Sequence, residues 1–196
     1  FWGSAQQHLL TGKNVPDNWR TRLMGGGYYK LIDETNRRAS VGLSSMLWHY
    51  QQDLSGYTLG QGGYYSPQGY FSISVPVSYR QRTPDWSWEL GGSGSWSRSR
   101  TDDSRRYPLE GLLPAGLPDR NEPVQGGSSS GFGYTLNAVV EHRLTEHWRI
   151  GGRIDIQQAD DYAPSHATLF LRYTFKPWQG DLDMPPQPLT PYADFD

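Results

Sequence analysis

The chain has 196 residues, enough for one domain with a real core, and with only 35% hydrophobic residues it is polar on average. A formal net charge of −2 with scattered basic residues gives no basis for nucleic-acid binding. The absence of Cys excludes a disulfide scaffold, a thiolate zinc site and a Cys nucleophile. Against this polar average, aromatic residues reach 14%, with 8 Trp and 13 Tyr beside 23 Gly. A transmembrane β-barrel has that mixture, because lipid-facing and lumen-facing residues alternate and average out. No run approaches the roughly 18 apolar residues of a membrane-spanning helix. The chain opens at Phe1 without an initiator Met or a signal pattern, so a mature or truncated piece is expected.

Period-two alternation dominates from end to end. Residues 1–10 read as the remainder of a strand, and 11–20 as a longer polar connection. Strands over 21–32 and 37–50 alternate less cleanly, with extra Gly and Ser, around a short turn at 33–36. A long polar stretch follows at 51–69. The clearest strand is 70–82, where Phe71, Ile73, Val75, Val77 and Tyr79 alternate with Ser72, Ser74, Pro76, Ser78, Arg80 and Arg82. A tilted strand that crosses a bilayer needs roughly 9–11 residues, whereas soluble strands average about 5–6. After a turn at 83–85, the segment 86–100 sets Trp86, Trp88, Leu90 and Trp96 against Ser87, Glu89, Ser93 and Ser95. The longest connection, 101–127, is the expected gating loop. Further strands lie at 128–144, 148–158 and 167–175, joined by a short turn at 145–147 and a longer stretch at 160–165. About eight strands result. Short turns alternating with long loops are the asymmetry of bacterial outer-membrane barrels, with the short turns periplasmic. Trp86, Trp148, Tyr79 and Tyr173 near short turns, and Trp96, Phe132 and Tyr134 nearer the long loops, match two interfacial girdles.

Catalytic and cofactor patterns are weak. The five His (His8, His49, His142, His147, His166) have no ligand spacing, although His142 and His147 flank one turn and a third ligand is lacking. Gly60-Gln61-Gly62-Gly63 and Gly91-Gly92-Ser93-Gly94 precede no helix and carry no Lys-Ser/Thr. The first reads as a flexible surface loop, the second as small residues within a strand. Asp102, Asp103 and Glu110 lie among Arg98, Arg100, Arg105 and Arg106, which keeps them ionised rather than poised as a glycosidase pair. No metal, cofactor or enzymatic activity is expected.

The polar parity is more informative. It carries Lys30, Arg38, Arg80, Glu89, Glu141, Arg143, Arg149, Arg153, Asp155 and Arg172, whose burial in a dry core would be very costly. A wet lumen removes that cost. Trp48, Tyr50, Tyr70 and Phe170 fall on the same parity, where their rings would either stack on the rings of a neutral sugar polymer or pack against a loop or plug. The expected pore-lining, glycan-contacting set is therefore Arg38, Trp48, Tyr50, Tyr70, Arg80, Glu89, Glu141, Arg143, Arg153, Asp155, Phe170 and Arg172.

Four stretches carry a family resemblance: Gly56-Tyr-Thr-Leu-Gly-Gln-Gly-Gly-Tyr-Tyr-Ser-Pro-Gln68, Ser78-Tyr-Arg-Gln-Arg-Thr-Pro-Asp-Trp-Ser-Trp88, Trp96-Ser-Arg-Ser-Arg-Thr-Asp-Asp-Ser104 and Tyr173-Thr-Phe-Lys-Pro-Trp178. They resemble the C-terminal region of the bacterial cellulose synthase outer-membrane subunit, the cellulose synthase operon protein C family, across essentially the whole chain. The resemblance implies an outer-membrane pore that passes cellulose, a β-1,4-glucan, after periplasmic tetratricopeptide repeats, alongside the other cellulose synthase subunits. It also implies a barrel of more than eight strands, so this chain is expected to be the C-terminal half. Eight strands closed on themselves have an interior just filled by side chains. The resulting expectation is an all-β, antiparallel transmembrane barrel segment at 1–177, set in outer-membrane lipid, with a Pro-rich periplasmic tail at 178–196. The tail would contact the repeats, enter the lumen or stay disordered. A general or plugged porin and a soluble carbohydrate-binding β-sandwich are the alternatives.

Overall fold

A computed structural model describes residues 1–114, 121–158 and 163–188. Parts of the connections expected at 101–127 and 160–165, and the end of the tail from 189 on, lie outside the described residues. The strands in chain order are β1 (Trp2–Gly12), β2 (Val15–Asp33), β3 (Arg37–Tyr50), β4 (Gly69–Arg82), β5 (Trp86–Thr101), β6 (Ser104–Arg105), β7 (Pro123–Val124), β8 (Gly127–Arg143), β9 (Trp148–Gln158) and β10 (Ser165–Tyr173). Eight of them form one sheet in the order β1-β2-β3-β4-β5-β8-β9-β10, and β6 pairs with β7 separately. The all-β, antiparallel architecture with eight long strands is thus as expected. Within the eight-stranded sheet, strand lengths run from 9 residues in β10 to 19 in β2, well above the soluble average of about 5–6.

Two of the differences from the sequence reading have a local cause. The connection expected at 11–20 is a tight turn at Lys13 and Asn14, with β1 and β2 running up to it. Asn14 takes φ 60, a left-handed conformation that Asn tolerates far better than most residues. The register shifts between Leu10 and Gly12, so a bulge takes up the irregular spacing that hid the pattern. At the other end, β10 stops at Tyr173 rather than Phe175. The Thr174 N–H still reaches the His147 carbonyl at 2.9 Å, and Pro177 then has no N–H with which to continue a ladder.

The chain divides into two compact units, one of Phe1–Gly27, Ser44–Ile73 and Trp96–Gly131, the other of Tyr28–Leu43, Ser74–Ser95 and Phe132–Asp196. In the first, the β3–β4 connection folds into an ordered cap. Leu54 is 1% exposed, its carbonyl accepts the Gly62 and Gly63 N–H groups at 3.0 Å, and its N–H donates to Ser66 Oγ at 2.8 Å. Gly60 and Gly63 have φ 89 and 68. The glycine run is therefore a built turn rather than the flexible loop expected, because two left-handed positions and a buried Leu specify it. The β5–β8 connection adds the β6–β7 pair and a single 3-10 turn, Glu110–Leu112. It is tied to the cap by Gln61 Nε2 donating to the Arg105 carbonyl at 2.8 Å and by Thr58 Oγ1 donating to the Arg106 carbonyl.

In the second unit the register places Glu141, Gly151 and Phe170 in one row across β8, β9 and β10. A Cβ on Gly151 would lie 2.2 Å from Phe170 Cζ and 2.7 Å from the Val140 carbonyl oxygen. Glycine is what lets Phe170 lie flat across β9. Alternation in this unit has an inverted burial: Ile150 and Ile154 are 45% and 51% exposed, whereas Arg149, Asp155 and Glu141 are 7%, 8% and 2% exposed. In β4, likewise, Val75 and Val77 are exposed while their polar neighbours are half-covered. The apolar parity is the outer one.

Replacing Gly151 by Val is expected to destabilise the folded protein by about 3 kcal/mol, the cost of overpacking against a neighbour that cannot move. Adding Phe170→Ala should recover part of the loss, and urea unfolding midpoints of the single and double variants check this.

Candidate functional site

The polar parity carries two separate constellations, one in each unit. In the first unit, five rings gather where β3 and β4 meet the cap. Trp48 lies 5.7 Å from Tyr50, 6.4 Å from Tyr65 and 5.8 Å from Tyr70, mostly edge-on, and Tyr64 sits 5.7 Å from Tyr50. The Arg20 guanidinium lies 5.8 Å from the centre of the Trp48 ring. Tyr50 is buried, and Trp48 and Tyr70 remain half-exposed. Of the two readings open for these rings, packing against a loop describes Tyr50, while Trp48 and Tyr70 keep part of their surface uncovered.

Asn18 organises this cluster, and sequence reasoning missed it because it fell within the expected 11–20 connection. Fully buried, it donates from Nδ2 to the Gln52 carbonyl at 2.9 Å and to the Tyr64 hydroxyl at 3.0 Å. Its Oδ1 accepts the Gln52 N–H at 3.1 Å. Burial pushes the Tyr64 phenol above its ordinary pKa, and the Asn18 hydrogen bond opposes the shift.

The second unit holds the charges. Arg143, Arg149 and Arg172 stand side by side in register across β8, β9 and β10. Like charges directly opposite one another repel, so this row needs compensation. Glu141 supplies it, with Oε1 at 3.5 Å from Arg149 and 3.4 Å from Arg172. The tail supplies more: Arg143 donates to the Gly180 carbonyl and Arg172 to the Gln187 carbonyl. Between those two points of the tail, Ser87 Oγ donates to the Asp183 carbonyl at 2.5 Å. Arg82 reaches the Leu182 carbonyl at 3.3 Å and the Asp181 carboxylate at 3.6 Å. All four partners, Arg82, Ser87, Arg143 and Arg172, belong to the polar parity, so the described tail lies on that face. A Pro-rich extended segment leaves its carbonyls free to accept such bonds.

The remaining expected residues fall into smaller groups of the second unit. Arg80 pairs with Glu89 at 3.0 Å. Asp155 is held by Arg153 at 2.6 Å and by His166 at 3.0 Å. Arg38 is exposed and lies 3.6 Å from Asp33. Phe170 is buried, with the Arg172 guanidinium 5.9 Å from its ring centre. Two His considered together are apart in partnership: His142 stacks on Trp86 at 4.0 Å, and His147 stacks on Tyr173 at 5.6 Å. In the β5–β8 connection of the first unit, Asp102 pairs with Arg100 at 2.8 Å and Glu110 with Arg105 at 2.6 Å. Among the described residues no group of three His, Cys, Asp or Glu is placed to hold a metal. What the two arrangements offer is contact: half-covered rings in one unit, and fixed donors and acceptors in the other.

Glu141→Gln strips buried Arg149 and half-covered Arg172 of their shared counter-charge and is expected to cost about 3 kcal/mol, the lower end for breaking a buried ion pair. The double variant Glu141→Leu/Arg149→Met should lose less, and chemical denaturation of the set measures the difference. For the tail, Ser87→Cys should react slowly with a water-soluble maleimide in the intact protein and markedly faster once residues 178–196 are removed.

A family model described as cellulose synthase operon protein C C-terminus matches residues 1–176. A cellulose synthase operon protein C of Salmonella typhimurium is 59% identical over 196 residues, covering 99% of this chain and 17% of that protein. The Escherichia coli K12 protein of the same name is 58% identical, with the same coverage. The one from Pseudomonas fluorescens is 32% identical over 193 residues, 98% of this chain and 15% of that protein. The chain thus spans only 15% to 17% of the length of these relatives. With the match extending across the sheet and both constellations, the chain belongs to the family of cellulose synthase operon protein C C-termini.

Proposed function

We propose that this chain is part of the wall of an outer-membrane pore through which cellulose, a β-1,4-glucan, leaves the cell. The single observation that carries the reading is the inverted burial of the strands: apolar residues uncovered, charged residues covered. A soluble sandwich would bury Phe71, Ile73, Val75 and Val77 rather than expose all four. Lipid is the solvent in which that face is stable, and strands of this length match a tilted bilayer crossing. Eight strands suit a filled interior rather than a polymer passage, so the rest of the pore wall comes from elsewhere in the longer protein.

The names of the relatives support cellulose as the polymer. On this reading the pore is passive and non-enzymatic, and its periplasmic partners are helical repeats of the same protein and the other cellulose synthase subunits. Half-exposed Trp48 and Tyr70 contact the neutral sugar faces, while Ser, Gln and ion-paired side chains bond its hydroxyls. The tail packed on the polar face favours a second reading, a plugged channel for small solutes.

Conductance separates the two. Cello-oligosaccharides are expected to block the full-length protein in a planar bilayer, and Trp48→Ala/Tyr70→Ala to weaken the block up to about tenfold, the scale of one lost aromatic contact. Block by unrelated small solutes with no preference for cello-oligosaccharides would favour the plugged small-solute channel. In cells, loss of residues 1–196 should leave glucan synthesis intact while abolishing surface cellulose; normal surface polymer would exclude the export role.

A further inference from the structure

On the outer face of the first unit, a groove of about 410 Å³ runs over β2, β3, β4 and β5. Its floor is apolar, with Leu23, Leu47 and Phe71 all exposed. Its end nearest the long loops is cationic, with Arg98 and Arg100 on β5 and His49 on β3. These three share the outer parity: Arg98 and Arg100 follow Trp96, which packs edge-on to Phe71 at 6.2 Å, and His49 follows Leu47.

This placement is unusual for a lipid-facing surface. Charged side chains are disfavoured there unless they reach the interface and find an anion. Arg100 already has Asp102 at 2.8 Å, in an exposed pair. Arg98 carries no ion pair among the described residues. His49 donates from Nδ1 to the Gln68 carbonyl at 2.5 Å, which leaves Nε2 turned away from that bond. Arg98 and Arg100 stand two residues apart, about 6–7 Å along a strand, a span that one phosphorylated headgroup can bridge.

We infer that this groove binds a phosphorylated glycolipid of the outer leaflet, with an acyl chain over Leu23, Leu47 and Phe71 and a headgroup phosphate between Arg98 and Arg100. Arg suits the role because its planar fork makes paired hydrogen bonds to phosphate oxygens. The acyl floor selects a lipid over a soluble phosphate. The inference rests on the outer-membrane reading, since only that setting presents such a lipid to this face.

The test uses full-length protein exchanged into nanodiscs that contain bisphosphorylated, monophosphorylated or phosphate-free lipid A, with retained lipid counted by native mass spectrometry. The wild type should retain the bisphosphorylated form. Arg98→Ala/Arg100→Ala should retain about tenfold less or lower still, the effect of two interfacial arginines, and Arg98→Lys/Arg100→Lys should keep part of the binding. Arg37→Ala, at a short turn of the other unit, should not change retention. Equal retention by the wild type and the double Ala variant overturns the inference, as does equal retention of the phosphate-free lipid. Displacement by inorganic phosphate alone also overturns it, because the groove would then recognise a free anion. Outer-membrane fractionation separates the two levels: inserted wild type without lipid preference sinks the lipid site alone, and wild type absent from that membrane sinks both readings.

Discussion

A β-strand must send alternate side chains to opposite faces, and its backbone groups must be paired by neighbours wherever water is absent. In this chain the two demands are met together. Eight long strands are paired in sequence order, and β4 and β9 turn their aliphatic residues to the exposed face. The sorting has a direction opposite to that of a soluble protein, with Ile154 exposed and Arg149 buried on the same strand. A register slip of one residue would exchange these faces along the whole strand. The remaining features, including the arginine row, the tail contacts and the exposed groove, depend on that parity.

Collecting charge on the covered face creates an electrostatic problem that the second unit answers locally. Of three in-register arginines, Arg149 and Arg172 share one carboxylate, Glu141, and Arg143 and Arg172 are bonded by tail carbonyls. Neutral carbonyl acceptors reduce the repulsion without adding further buried carboxylates. The first unit uses a different device. There an uncharged Asn and five aromatic rings hold the cap, and a single guanidinium sits over Trp48.

Much of this was legible because alternation is a local property. The strands at 37–50 and 148–158 coincide with the observed bounds, and the polar parity of β4, β5, β8 and β9 is the covered one. The failures have local causes as well. A bulge after Leu10 broke the period and concealed the tight turn at Asn14, and with it the role of Asn18. The order of the cap and tail depends on long-range bonds that no spacing rule reports. A fainter signal was nevertheless present in each: Leu54 and Leu182 are isolated apolar residues in polar stretches, and both are buried anchors. Partner choice among Glu141, Arg149 and Arg172 required the cross-strand register, which a single sequence does not contain.

On the proposed reading, the apolar parity faces lipid and the polar parity faces water. Because this chain has no Cys, a single-cysteine scan across 70–82 tests it directly in full-length protein whose other cysteines, where present, are replaced. A fluorophore at each position is quenched in turn by brominated lipid and by aqueous iodide. The account predicts a two-residue period, with positions 71, 73, 75 and 77 quenched from lipid and 72, 74, 78 and 80 quenched from water. Uniform quenching by iodide, or a period with the two parities exchanged, would contradict it.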